Sequence, residues 1–263
     1  MKMLFFFFPI FITSSLWAQE FACEKLIEKN DQYTHCTNHV KNFSLPFHFF
    51  YPFHLDTSKT VFVDLHFHGH NLDGYSHFFK TNTPGEGWGD FGSFLKLSSI
   101  NGIIIVPESY GNCQNYDSEF KSEQNALLIL NQLLELNNFV SSKYLLSGHS
   151  GAYRVLRRIF SISNLNNQLN SEIVGVALID AGYSDLSAII EFALNNPDFV
   201  FFNSFVSGEK GTTKKINNQL YNNYKNQNHF YIYPINSTSE SVLDQHFKLI
   251  VRKGLIDFLK LFP

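Results

Sequence analysis

Residues Lys143-Tyr-Leu-Leu-Ser147-Gly148-His149-Ser150-Gly151-Ala152 place a short apolar run directly before Gly-His-Ser-Gly, and a helix-patterned stretch follows. A strand-to-helix turn of this kind holds a serine in a strained backbone conformation with its hydroxyl projecting outward, which makes Ser150 a candidate nucleophile. Crowding at such a turn demands small residues two before and two after the serine, and Gly148 and Ala152 meet that demand. Ala152 stands where the Gly-x-Ser-x-Gly pattern has its second glycine; it departs from the letter of the motif and keeps its steric content. The same residues also fit an ordinary strand-turn-helix in which serine merely caps the helix.

Nucleophilic serine needs a base, an acid that orients the base, and N–H donors for the developing oxyanion. After Ser150 the histidines are His229 and His246. His229 falls at the entrance to the last expected strand, the wrong end of a parallel sheet. His246 follows that strand and precedes the last expected helix, so it is the expected base. For the acid, Asp180 ends the buried run Ile173–Ile179 and is expected on the same sheet edge as Ser150. Glu209, in Gly208-Glu209-Lys210-Gly211, is the second candidate. Oxyanion donors are expected from the Gly151 amide and from the amides of Gly69 and His70, which follow the strand-like run from Val61 to His68.

A different chemistry starts from Asp64-x-His66-x-His68-x-His70. Alternate residues of a strand share one face, so the Asp64, His66 and His68 side chains are candidates to converge on a metal, as in a metal-dependent hydrolase. Such a site needs further ligands from later strands, and the later chain offers only two histidines. The third alternative is a non-catalytic binding protein that carries the same fold with a defunct site.

The elements that must position these residues alternate short β-branched or aromatic runs with longer helical patterns, the signature of a mainly parallel sheet. Strands are expected at Phe47 to Tyr51, Thr60 to Leu65, Ile103 to Val106, Tyr144 to Leu146, Ile173 to Ile179, Val200 to Val206 and Phe230 to Tyr233. Helices are expected at Phe91 to Ser99, Ser122 to Leu136, Gly151 to Phe160, Leu186 to Leu194, Lys214 to Asn226 and Phe247 to Leu261. Leu72 to Asp90 reads as a long loop whose Tyr75, Phe78, Phe79 and Trp88 are candidates to line an apolar pocket.

The 263 residues carry a formal charge of −3 with scattered Lys and Arg, so nothing points to nucleic acid. Met1 to Ala18 opens with Lys2, runs apolar from Leu4 to Ile12 and ends Ser-Ser-Leu-Trp-Ala, a pattern expected of a signal peptide cleaved before Gln19. A retained anchor is the other meaning of that run, which is short for a membrane span. Residues 19–263 are expected to form a single α/β domain, exported to the periplasm or the medium, with no stable membrane span once the leader is removed. Of three cysteines, Cys23 and Cys36 are the nearest pair for a disulfide; Cys36 with Cys113 is the alternative.

From about Thr60 onward the chain resembles the α/β-hydrolase superfamily, in particular its secreted branch of feruloyl esterases and polyhydroxyalkanoate depolymerases. The residues that carry the resemblance are His68-Gly69, Ile103-Ile-Ile-Val-Pro107-Glu-Ser, Gly148-His-Ser-Gly151 and the late His246. The resemblance implies a three-layer α/β-hydrolase fold with a mainly parallel, doubly wound sheet. It implies hydrolysis of a small or polymeric ester, without a cofactor, through an acyl-enzyme on Ser150. Many members place their aspartate where this chain has Gly211, which leaves Asp180 and Glu209 as the alternatives for the acid.

Overall fold

The computed structural model describes residues 23–41, 43–68, 91–108, 141–162, 172–206, 212–235 and 250–262, together with isolated positions between 116 and 133. Among these residues the strands β1 (Lys25–Lys29), β2 (Tyr33–Asn38), β3 (Phe47–Pro52), β4 (Val61–Phe67), β5 (Gly102–Pro107), β6 (Ser142–His149), β7 (Ile173–Ile179), β8 (Val200–Val206) and β9 (Phe230–Ile235) form one sheet. Its order is β1-β2-β3-β5-β4-β6-β7-β8-β9. The helices are α1 (Phe91–Ser98), α2 (Tyr153–Phe160), α3 (Ser187–Asn195), α4 (Thr212–Tyr224) and α5 (Ile250–Leu259). Each of the seven expected strands is present within a few residues. The expected helix from Ser122 to Leu136 lies largely outside the described residues.

Pairing is antiparallel from β1 through β2 and β3 to β5, and parallel from β5 through β4, β6, β7 and β8 to β9. The inner parallel strands read as largely apolar runs because both faces are covered, whereas the edge strand β9 alternates buried and exposed residues. One face packs Val155, Leu156 and Ile159 of α2, Ile189 and Phe192 of α3 and Leu220 of α4 against Val63, Leu65, Phe67, Leu146 and Val176. The other packs Phe91, Phe94 and Leu95 of α1 and Leu255, Phe258 and Leu259 of α5 against Phe62, Ile104, Leu145, Ile179 and Phe202. Two helical layers therefore sandwich the sheet, the three-layer arrangement expected from the sequence. Docking of α5 is close: a Cβ on Gly254 would lie 2.7 Å from Ser204 Oγ and 3.0 Å from Ile179 Cγ2.

The sequence reading did not anticipate β1 and β2. β1 is an edge strand whose Lys25, Glu28 and Lys29 are solvent-exposed, so it lacks the buried face that makes a strand readable. The turn into β2 is built by Asn30, whose side-chain oxygen accepts from the backbone N–H groups of Gln32 and Tyr33 at 2.9 Å each. Cys23, just before β1, forms a disulfide with Cys36 of β2 across a Cα separation of 5.7 Å. Cys113 lies outside the described residues. No helix among the described residues is long and apolar enough to cross a membrane.

Candidate active site

β6 is central in the sheet, and the chain leaves it at His149 in an extended conformation (φ −105°, ψ 140°). The next residue, Ser150, has φ 53°, and residues 150–152 then make a single 3₁₀ turn that runs into α2. A β-carbon disfavours the left-handed region by roughly 1–2 kcal/mol, so the surrounding turn must impose it. The expected crowding is present: a Cβ on Gly148 would lie 2.9 Å from both Ala152 Cβ and Leu156 Cδ1. The small side chains at 148 and 152 are thus required by each other and by the first turn of α2. Gly151 stands in the opening turn of this helical segment, where backbone N–H groups lack intrahelical acceptors and favour negative charge.

β7 is the neighbour of β6, and their parallel register pairs His149 with Ile179. Ser150 and Asp180 are the residues that follow this pair, so both leave the sheet at its C-terminal edge, side by side. Asp180 is fully buried and is also in the left-handed region, at φ 46°. Its N–H donates to Ser204 O at 2.7 Å, and its Oδ1 lies 3.5 Å from the Val206 N–H at the end of β8. Among the described residues the non-glycine positive-φ positions are Ser99, Ser150 and Asp180, and two of the three stand at equivalent points of adjacent strands. Strain of this kind clusters at functional sites.

His229 is at the opposite edge. Its carbonyl accepts from the Phe201 N–H at the start of β8, and its ring Nε2 donates to Ala193 O at 3.2 Å. It stands beside the N-terminal ends of β8 and β9, away from Ser150, as expected. His246, Gly69, His70 and Glu209 lie outside the described residues, as does the aromatic loop from Leu72 to Asp90.

Asp64 and His66 of β4 do share one face, as strand alternation requires, and the point on which they converge is a hydroxyl of the neighbouring strand. The hydroxyl of Ser147, opposite His66 in the parallel register, stands between them. Ser147 Oγ donates to Asp64 Oδ2 at 2.8 Å. That single proton being used, the 2.7 Å contact with His66 Nδ1 is His66 Nδ1–H donating to Ser147 Oγ. Serine is the middle member here, whereas in nucleophilic catalysis the histidine stands between serine and acid. Asp64 and His66 are each 1 % exposed and Ser147 is fully buried, so no substrate reaches this hydroxyl. No cluster of three or more His, Cys, Asp or Glu side chains suited to a metal occurs among the described residues. His68 instead sets its ring 5.2 Å from that of Tyr116.

Burial pushes the Asp64 carboxyl up to about 8, against the lowering effect of the Ser147 hydrogen bond. Burial, helped by the neighbouring His68, pushes His66 down to about 3. Both groups are therefore neutral near pH 7. A second buried chain lies on the same face of the sheet. The His48 ring joins Glu108 Oε1, 2.6 Å from its Nε2, to His35 Nε2, 2.8 Å from its Nδ1. Burial and the nearby His48 hold His35 down to about 3. Neither Ser147 nor the His35–His48–Glu108 chain is among the residues expected to be functional from the sequence. Their signal was available as polar residues inside otherwise apolar strand runs.

No protein-family model matches the sequence, and no curated protein matches it. Solved structures do. A feruloyl esterase module from Clostridium thermocellum, crystallised as an S954A mutant with sinapinate, superposes with a TM-score of 0.54 at 12 % identity, over 91 % of this chain and 94 % of that one. A ferulic acid esterase from Anaeromyces mucronatus gives 0.53 at 14 % identity, over 88 % and 94 %. A predicted CIB-like hydrolase from Thermoplasma acidophilum gives 0.54 at 10 % identity, over 88 % of this chain and all of that one. At such identities the likeness is one of architecture. With the sheet order and the two helical layers, it establishes that this chain has the three-layer α/β-hydrolase fold.

Proposed function

We propose that this chain is an exported serine hydrolase that cleaves a carboxylic ester, on a small molecule or a polymer, through an acyl-enzyme on Ser150. The observation that carries the reading is the conformation of Ser150: a non-glycine residue at φ 53° on the turn between the central β6 and α2. A serine that only capped the helix would sit in the β region, at no strain. His246 takes the Ser150 proton as the hydroxyl attacks the acyl carbonyl, and Asp180 holds the imidazole tautomer and stabilises its charged form. The amides of Gly151, Gly69 and His70 receive the oxyanion. The alcohol then leaves with the proton from His246, and water repeats the cycle on the acyl-enzyme. Glu209 is the alternative acid. The leader-like Met1 to Ala18 and the Cys23–Cys36 disulfide support export to an oxidising compartment. The esterase activities named for the Clostridium and Anaeromyces structures support an ester as the substrate class.

A fluorophosphonate probe applied to the purified protein tests this, with Ser150→Ala beside it and p-nitrophenyl esters of increasing chain length as substrates. The expected outcome is labelling and ester turnover that both vanish in Ser150→Ala. Folded protein that takes no label at Ser150 refutes the proposal.

A further inference from the structure

Three polar side chains under the strand that presents Ser150 are not used by the proposed chemistry, and their burial is unfavourable. Asp64, Ser147 and His66 lie on the sheet face covered by α1 and α5, where the neighbouring positions are Phe62, Ile104, Leu145 and Ile179. Their mutual hydrogen bonds leave Asp64 Oδ1 without a partner. Burying a polar atom unpaired is expensive, and buried polar sets are often no more stable than apolar residues of similar volume. Ordinary core packing would fill this place with the aliphatic side chains that surround it. Places where a protein departs from the rules of core packing are most often tied to function.

Position indicates which function. In the sequence, Ser147 of β6 precedes Ser150 by three residues, and His66 of β4 precedes Gly69 by three. The register pairs His66 with Ser147 and Phe67 with Gly148, the last pair between the two strands, and β6 ends one residue later at His149, directly before Ser150. The chain Asp64–Ser147–His66 crosses from β4 to β6 and back at this last stretch of pairing. The Phe91 ring of α1, with its centroid 5.1 Å from that of His66, packs against the imidazole. Any shift between the two strand ends breaks two buried hydrogen bonds at once, which apolar contacts would not resist in the same way. We propose that Asp64, Ser147 and His66 are positioning residues: they fix the end of β4, the source of the proposed oxyanion amides of Gly69 and His70, against the end of β6, which carries the nucleophile. This inference rests on the serine-hydrolase reading above.

A misplacement of about 1 Å between donor and nucleophile lowers turnover by up to roughly a hundredfold without weakening ground-state binding. The test compares wild type, Ser147→Ala, Asp64→Asn and Asp64→Asn/Ser147→Ala by p-nitrophenyl acetate kinetics, by thermal melting and by the Ki of a trifluoromethyl ketone, which mimics the tetrahedral species. Asp64→Asn keeps an oxygen acceptor for the Ser147 hydroxyl and is expected to stay within about threefold of wild-type kcat. Ser147→Ala is expected to lose about tenfold or more in kcat with KM within about twofold, and its Ki for the ketone should rise by the same factor as kcat/KM falls. If Ser147→Ala does not fold, the double variant, in which no carboxyl is left buried without its hydrogen bond, carries the same expectation. Alanine variants that fold and keep kcat and Ki within threefold of wild type overturn the inference and leave the hydrolase reading intact. A change in KM alone also overturns it. Wild-type protein without turnover or labelling removes the hydrolase reading, and the inference falls with it.

Discussion

Stability of this protein is expected to peak near pH 6.5 and to fall on the alkaline side because of one residue, Asp64. In the unfolded chain this carboxyl loses its proton near 3.8, whereas in the folded protein burial holds the proton until about pH 8. Between these values the folded state carries one proton more than the unfolded state, so raising the pH favours unfolding by about 1.4 kcal/mol per unit. The stabilising contribution is complete below pH 3.8 and gone above about 8. His66 and His35 act in the opposite sense. Each is held down from 6.5 to about 3, so each contributes stability present above pH 6.5 and lost as the pH falls toward 3. From pH 4 to 6.5 the two histidines outweigh the aspartate, and stability rises with pH. From 6.5 to about 8 only the aspartate, of these three groups, still differs between the two states, and its loss is roughly 2 kcal/mol. For a domain of this length that corresponds to a fall in Tm of about 4–8 °C. Asp64→Asn removes the titrating group while keeping its shape. Its Tm should stay level between pH 6.5 and 8, above that of wild type at pH 8. Thermal melts by circular dichroism at half-unit pH steps measure both curves. An alkaline fall that persists unchanged in Asp64→Asn, or a wild-type Tm that rises from pH 6.5 to 8, refutes the assignment of a neutral buried carboxyl.

The strain at Ser150 is measurable by comparing two substitutions that both remove the hydroxyl. Ser150→Gly should be more stable than Ser150→Ala by about 1 kcal/mol, since only glycine occupies φ 53° without penalty, and both should lack the fluorophosphonate label; equal denaturant midpoints would refute the strain. Gly148→Ala places a methyl 2.9 Å from Ala152 Cβ and Leu156 Cδ1, and urea denaturation should show a loss of about 1–3 kcal/mol together with slower labelling of Ser150.

The parts of this fold that could be read from the sequence are those whose physics is local. β4 to β8 are largely apolar runs because both faces of the inner parallel sheet are buried, and a run of Ile, Val and Phe announces itself whatever its neighbours. The turn at Ser150 was legible for the same reason: the demand for Gly148 and Ala152 arises within five residues, between atoms that the chain itself brings together. β1 was illegible because an exposed edge strand has no buried face to imprint a pattern, and its place is set by pairing and by the Cys23–Cys36 link; β2 was illegible because its buried positions carry His35, Thr37 and Asn38 instead of an apolar run. The Asp64–Ser147–His66 chain shows what local reading misses. Asp64, His66 and His68 at alternate positions suggested convergence on a metal, and alternation did put Asp64 and His66 on one face. What occupies the space between them is a serine 81 residues after His66, brought there by the parallel pairing of β4 with β6. Spacing along one strand states which side chains face the same way, and only the partner strand decides what they face. The same logic bears on the site itself. Ser150 and Asp180 lie 30 residues apart and become neighbours because the His149–Ile179 pair precedes them, and their left-handed conformations turn the chain sharply off each strand at its end. A change that slides β6 along β7 therefore moves the proposed nucleophile away from the proposed acid, so under the serine-hydrolase proposal the register of these strands bears on catalysis as directly as the proposed site residues do.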